Sequence, residues 1–349
     1  MVAQFVFLML VIAAGMNIPL PGLNAQFVAQ QAQAASSGMH SLSIFALAAV
    51  PILSALTLLE IAKLIFPRLE TWRLSSEKRA TGIHVFVMVL VVSLAVMNGS
   101  ELVYFFHATS RTNISEGYLI AGLGCYVGAT LVMIWLADRI RLAGIASGVW
   151  LLLAIFYLSD LGTELSRLFE YTRMGMISAW QGLLYCAFLL AGILALVAIN
   201  RTVELASRND MAEKMFFLSA LLWTPFLAGF IASYLVAISY AFLAEVLLIH
   251  VQSFIFILFS IIEAVLIPLI ILAYYRFLRI CRPDIVCKDH VRPILLCIAG
   301  IQLLLALGLG FARDLLAFPA TLSGNILIVC ITVLYLIGTA LRPGSLAEA

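Results

Sequence analysis

Long apolar runs alternate with short polar ones along the chain, and the polar runs hold nearly all the charge. A helix rises about 1.5 Å per residue, so crossing a hydrocarbon core of roughly 30 Å takes about 20 apolar residues. Residues 80–100, 117–137, 174–200, 215–244, 293–312 and 315–341 each meet that length without an Asp, Glu, Lys or Arg. Residues 2–20 and 44–66 add two more, 142–159 is shorter but bounded by charge, and 246–275 is interrupted only by Glu263. The pattern predicts an all-α integral membrane protein of about ten transmembrane helices. Residues 23–42 are small and polar and predict a loop, or a short segment that folds back into a pore.

Composition supports the same picture. Hydrophobic residues make up 64% of the 349 and charged residues only 11%, against about a quarter in soluble domains. The first 59 residues carry no Asp, Glu, Lys or Arg at all. The net charge of +2 gives no pointer to nucleic acid. The start lacks a basic n-region and a cleavage site, so it reads as a retained first span rather than a signal peptide. The six cysteines fall in apolar runs or at the inner face, where no disulfide framework is expected.

Loop charge orients the spans. With the N-terminus inside, only Arg111, Arg167, Arg173 and Arg313 of the 20 Lys and Arg lie outside. Positive residues favour the cytoplasmic side, so both termini are expected in the cytoplasm. Ten spans divide into two sets of five, and an odd number per set inverts one half relative to the other. The division expected is 1–173 against 174–349. The second span of each half carries a proline, Pro51 and Pro225. Matched prolines that break a helix mark a transport pathway between halves, and prolines are also common in membrane helices generally.

Few residues suggest bond chemistry. Cys281, Asp284, Cys287, Asp289 and His290 cluster without standard zinc spacing. Gly144–Ser147–Gly148 has its serine in the wrong place for a nucleophile elbow, and there is no H-E-x-x-H or phosphate loop. The chain is therefore expected to be no enzyme and to hold no cofactor or metal. Glu263 is the one deep acid, open to a proton-relay or gating role or to a bond with a neighbouring hydroxyl. Ser54, Thr57 and Glu60 share one face of their span, and such a polar stripe is expected to face a wet cavity. Glu60 could instead pair with Lys63.

Several segments resemble SecY, the channel subunit of the bacterial Sec translocon. Ile18-Pro19-Leu20-Pro21-Gly22 is similar to the I-P-x-P-G that ends the first SecY helix. Ser43-Ile44-Phe45-Ala46-Leu47, with Pro51 and Ser54-Ala55, resembles the second helix. Gly144-Ile145-Ala146-Ser147-Gly148 resembles the G-I-G-N-G opening the fifth. Arg282-Pro283 resembles the cytoplasmic R-P-G loop between helices 8 and 9, and Phe318-Pro319 with Ser323-Gly324-Asn325 the approach to helix 10.

The resemblance implies a channel that moves unfolded polypeptides across the inner membrane and releases apolar helices sideways into lipid. It implies a pore ring of Ala49, Leu53, Leu153, Leu227 and Val329. It places a plug at 24–42, with the small residues Ala34, Ala35, Ser36, Ser37 and Gly38. A lateral gate would use Pro51, Ser54, Thr57, Glu60 and Pro225. Arg276, Arg279, Arg282, Lys288 and Arg292 would dock SecA or the ribosome, and SecE- and SecG-like subunits would be partners. Two features depart from the family. The loop at 202–214 is short where SecY has a long protrusion, and Asp284 replaces the glycine of R-P-G. The alternatives are an inverted-repeat small-molecule transporter and a non-conducting SecY paralogue or insertase.

Overall fold

The computed structural model describes residues 2–18, 43, 45, 49–109, 116–139, 148–208, 210–243, 251–315 and 324–340. The described residues are helical almost throughout. In chain order the helices are α1 (Val2–Met16), α2 (Val50–Ile65), α3 (Arg68–Leu74), α4 (Glu77–Thr109), α5 (Glu116–Arg139) and α6 (Val149–Arg173). They continue with α7 (Ala179–Ala206), α8 (Met211–Leu243), α9 (Val251–Cys281), α10 (Pro283–Val286), α11 (Val291–Leu315) and α12 (Gly324–Ala340).

Six stretches among them are long and apolar enough to cross a membrane: Glu77–Glu101, Ile120–Arg139, Ala179–Ala206, Met211–Ser239, Leu258–Cys281 and Val291–Leu309. Phe7–Met16, Val149–Leu158 and Gly324–Thr339 are shorter apolar helices. α2 and α3 form a pair bent by 109°. The sequence predicts a single span over 44–66; the structure begins α2 at Val50 and turns sharply near Pro67. The turn suits the chemistry, because α3 carries Arg68, Glu70 and Arg73 and would be costly inside hydrocarbon.

The chain divides into two compact units. The first comprises Met1–Leu59, Trp72–Leu142 and Ala146–Phe156. In it α1 buries Leu8, Ile12 and Met16, one residue per turn, and leaves Phe7 and Leu10 exposed. α4 lies along α5, and Gly99 allows the approach: a Cβ there would sit 2.7 Å from the ring of wholly buried Tyr126. The first turns of α6 are apolar on every side, and all of Val149–Phe156 is buried.

The second unit comprises Glu60–Thr71, Ala143–Ile145 and Tyr157–Ala349. Its heart is a bundle of α7, α8, α9, α11 and α12, with α8 touching all four others. α7 opens with a capping box: Ser178 accepts from the Gln181 N–H, and Gln181 accepts from the Ser178 N–H. Its buried stripe is Tyr185, Leu189, Gly192, Leu196, Ile199 and Val203. Leu183, Leu190, Leu194, Val265, Leu269, Leu272 and Leu296 are large, apolar and exposed. Apolar surface on that scale, on helices long enough to span a bilayer, suits a lipid environment. The chain is a multi-pass membrane protein.

Candidate functional site

Pro51 stands in the first turn of α2, where a helix has no internal acceptor for the missing N–H. Pro225 instead lies in the middle of α8, yet α8 runs unbroken through it. Proline leaves the carbonyl four residues earlier, Leu221, without its helical donor. Gln302 of α11 fills the gap: its Nε2 donates to Leu221 O at 2.9 Å and to Ala220 O at 3.2 Å. The two prolines expected as matched breaks therefore differ, one opening a helix and the other spanned by a side chain from a neighbour.

On α2, Ser54 is half-buried, and Thr57 and Glu60 are buried. Glu60 has two partners in the second unit. Its Oε2 pairs with Lys63 Nζ at 2.8 Å, and its Oε1 accepts from Tyr274 Oη at 2.9 Å. The Tyr274 ring in turn meets Phe216 of α8 edge-on, centroids 6.0 Å apart. Glu60 thus ties the end of α2 to α9 through a buried charge-assisted hydrogen bond. The Lys63 pair was expected from sequence; Tyr274, 214 residues away, had no signal in it.

The residues of the expected ring have the following places. Ala49 precedes α2 and is half-buried, as is Leu53. Leu153 is buried in the first unit. Leu227 on α8 and Val329 on α12 are buried within the bundle of the second, and those two helices touch. The expected plug, Ala34, Ala35, Ser36, Ser37 and Gly38, lies outside the described residues, as do Pro19–Gly22, Phe318-Pro319 and Ser323.

The basic loop after α9 splits into two sets. Arg276, Arg279 and Arg282 are exposed, with no ion pair among the described residues. Arg292 lies over the Tyr275 ring at 5.6 Å and donates Nε–H to Tyr275 Oη at 3.0 Å. Lys288 turns inward. It reaches Asp210 Oδ2 at 3.4 Å and pairs with Glu213, whose side chain has no exposed surface. His290 Nε2 meets the other Glu213 oxygen at 2.5 Å. Asp210 also caps α8, accepting the N–H groups of Ala212 at 3.1 Å and Glu213 at 3.2 Å. His290 is thus engaged with a carboxylate, and no described set of side chains could hold a metal ion. Asp210-x-x-Glu213 is a helix-start signature that would have placed the cap; its cross-loop partners would have stayed hidden.

These contacts shift the outer groups in opposite directions. The Glu213 N–H, followed by Lys288, holds the Asp210 carboxyl below its ordinary 3.8. The hydrogen bond to Glu213, aided by Asp210, holds the Lys288 ammonium above its ordinary 10.5. A lowered acid stabilises the fold above its unfolded value and loses that effect as pH falls through its folded value. A raised base stabilises below its unfolded value and loses the effect as pH rises through its folded value. The loop 283–290 is therefore expected to loosen below pH 3.8 and above pH 10.5. Hydrogen exchange of its amides, corrected for intrinsic rates, checks this, and Asp210→Asn should remove its share of the acid limb while weakening the alkaline limb less, because Glu213 is the larger support of Lys288.

The SecY family model matches residues 43–279, from just before α2 to the end of α9. The chain belongs to the SecY family. Among curated relatives, the protein translocase subunit SecY of Rickettsia typhi is 25% identical over 227 residues, covering 60% of this chain and 51% of the relative. The SecY of Streptomyces galbus is 25% identical over 231 residues, 58% of this chain and 51% of that one. The SecY of Pseudomonas aeruginosa is 24% identical over 217 residues, 56% of this chain and 46% of that one. The chain spans about half the length of the curated SecY relatives it matches. The resemblance read from α2 thus led to the right family, and the Arg282-Pro283 motif lies beyond the matched stretch. The matched stretch covers the Pro51 and Pro225 helices and the Glu60–Tyr274 link, and stops just short of Arg282 and the loop that packs on Asp210 and Glu213.

Proposed function

We propose that this chain is a protein-conducting channel of the bacterial inner membrane, passing unfolded polypeptides across it and releasing apolar helices into lipid. The observation that carries the proposal is the SecY family match over residues 43–279, on a chain of repeated apolar helices. Ten helices then form two inverted halves, 1–173 and 174–349, with both termini in the cytoplasm. Six long stretches, three shorter apolar helices and the α2–α3 pair are consistent with that number.

Such a channel makes and breaks no covalent bond. It must hold back ions when idle, and a ring of apolar side chains does so by excluding water. Ala49, Leu53, Leu153, Leu227 and Val329 form that ring in this proposal, closed from one side by the 24–42 plug. The lateral gate runs past Pro51, Ser54, Thr57 and Glu60 of α2 and Pro225 of α8. The Glu60–Tyr274 hydrogen bond then braces the gate at its α2 end. Arg276, Arg279 and Arg282 are the docking charges for a motor or ribosome, because they are exposed and unpaired among the described residues. Lys288 and Arg292 hold the loop's shape. SecE- and SecG-like subunits would complete the assembly.

A reduced form of the activity is favoured by one observation. α7 ends at Ala206 and α8 begins at Met211, so the connection at 207–210 has no room for a protruding docking arm. An insertase with less dependence on a motor fits that geometry. A photocrosslinker at Leu53 or Leu227 is expected to capture a stalled nascent chain. Absence of adducts at both positions, with adducts at matching positions of a Sec-dependent control, overturns the channel. Adducts with membrane-inserted but not secreted clients select the insertase.

A further inference from the structure

The second unit holds a buried acid that contrasts with Glu60. Glu263 on α9 is 8% exposed and makes no hydrogen bond or ion pair with any described residue. Its Oε1 lies 4.0 Å from the point where a Cβ on Gly229 of α8 would stand. Asn325 Nδ2, from α12, lies 3.9 Å from the same point. Three helices of the bundle therefore bring a carboxyl and an amide to the open side of one glycine.

No counter-charge reaches the place from the packed helices. Residues 215–243 of α8, 293–312 of α11 and 324–340 of α12 contain no Asp, Glu, Lys, Arg or His. Their titratable groups are Tyr234, Tyr240, Cys297, Cys330 and Tyr335. On α9 itself Tyr274, the contact of Glu60, is about 16 Å further along the axis. α10, which also touches α9, brings only Asp284, beyond the helix end.

A carboxylate alone in hydrocarbon is costly, and intramembrane acids therefore bind a proton, meet a cation or face water. We infer that Glu263 is a proton-binding site within the membrane, at the open side of Gly229. The inference rests on α9 being a membrane span and goes beyond polypeptide conduction. It gives the bundle a group whose charge responds to the proton gradient.

A hydrophobic carbodiimide tests it on the unaltered protein in lipid vesicles. The reagent takes the acid's proton on one nitrogen while the carboxylate adds to its central carbon. An oxygen-to-nitrogen shift then leaves a stable N-acylurea containing every atom of both reactants. Mass spectrometry is expected to find the adduct on Glu263 and not on Glu60. Its yield should fall about tenfold per pH unit above a single midpoint. Glu263→Gln should abolish the adduct. No adduct under conditions that label a known intramembrane carboxyl, or a yield flat with pH, overturns the site. Suppression by sodium or potassium at fixed pH overturns it in favour of a cation site. Equal labelling by a water-soluble carbodiimide would instead place α9 outside the bilayer and remove the span on which the site depends.

Discussion

Gly324→Val is expected to destabilise the second unit by about 3 kcal/mol, because α12 would have to move off α11 to make room. A Cβ at Gly324 would stand 2.7 Å from the carbonyl carbon and 2.8 Å from the carbonyl oxygen of Leu305, and 3.0 Å from the Ala306 nitrogen. Those atoms belong to a helix backbone and cannot rotate aside. Leu305 itself is wholly buried and also reaches toward Gly192 of α7, so the strain would spread to a third helix. Two other glycines calibrate the result. At Gly192 the nearest atom to an added Cβ is a Leu305 side-chain methyl, which can turn. At Gly338, further along α12, nothing lies within 4 Å. Gly338→Ala is expected to be neutral or stabilising by up to about 1 kcal/mol, from helix propensity alone. Thermal unfolding in detergent measures both variants. A Gly324→Val midpoint equal to that of Gly338→Ala would overturn the close approach of α11 and α12.

Gln302→Leu is expected to cost about 1–2 kcal/mol, the penalty of leaving a buried carbonyl without a donor. The carbonyl is that of Leu221, which Pro225 deprives of its helical partner and Gln302 satisfies at 2.9 Å. Ala220 O is less affected, because Thr224 Oγ1 also donates to it at 2.6 Å. The decisive arm is Pro225→Ala, which restores the N–H. In that background Gln302→Leu should cost close to nothing, so the double-mutant cycle is expected to show a coupling of about 1–2 kcal/mol. Additive effects would mean that the glutamine packs without serving the proline. The same cycle bears on the channel, since Pro225 keeps its place in the proposed gate only if α8 remains a continuous helix with one carbonyl served from outside.

The apolar runs determined the all-helical membrane class and the approximate place of the six long stretches. Lipid offers no partner for a backbone amide, so each crossing must be a helix of about 20 apolar residues, and that requirement is written into composition. Family membership was legible too, from the short motif around Pro51, which needs no packing to recognise. The capping patterns at Ser178-x-x-Gln181 and Asp210-x-x-Glu213 were present in the chain as local signals. What the sequence left open was which face of each helix turns inward. In a bilayer the lipid side and the protein side are both apolar, so Leu194 and Leu196 look alike, yet one is 61% exposed and the other 0%. The partners of the polar residues were equally hidden. Gln302 serves Leu221 from 81 residues away and His290 meets Glu213 from 77, and only the folded bundle brings them together. Hydrophobicity decides that a helix enters the membrane; the few hydrogen bonds and close backbone contacts inside the bundle decide how it turns once there.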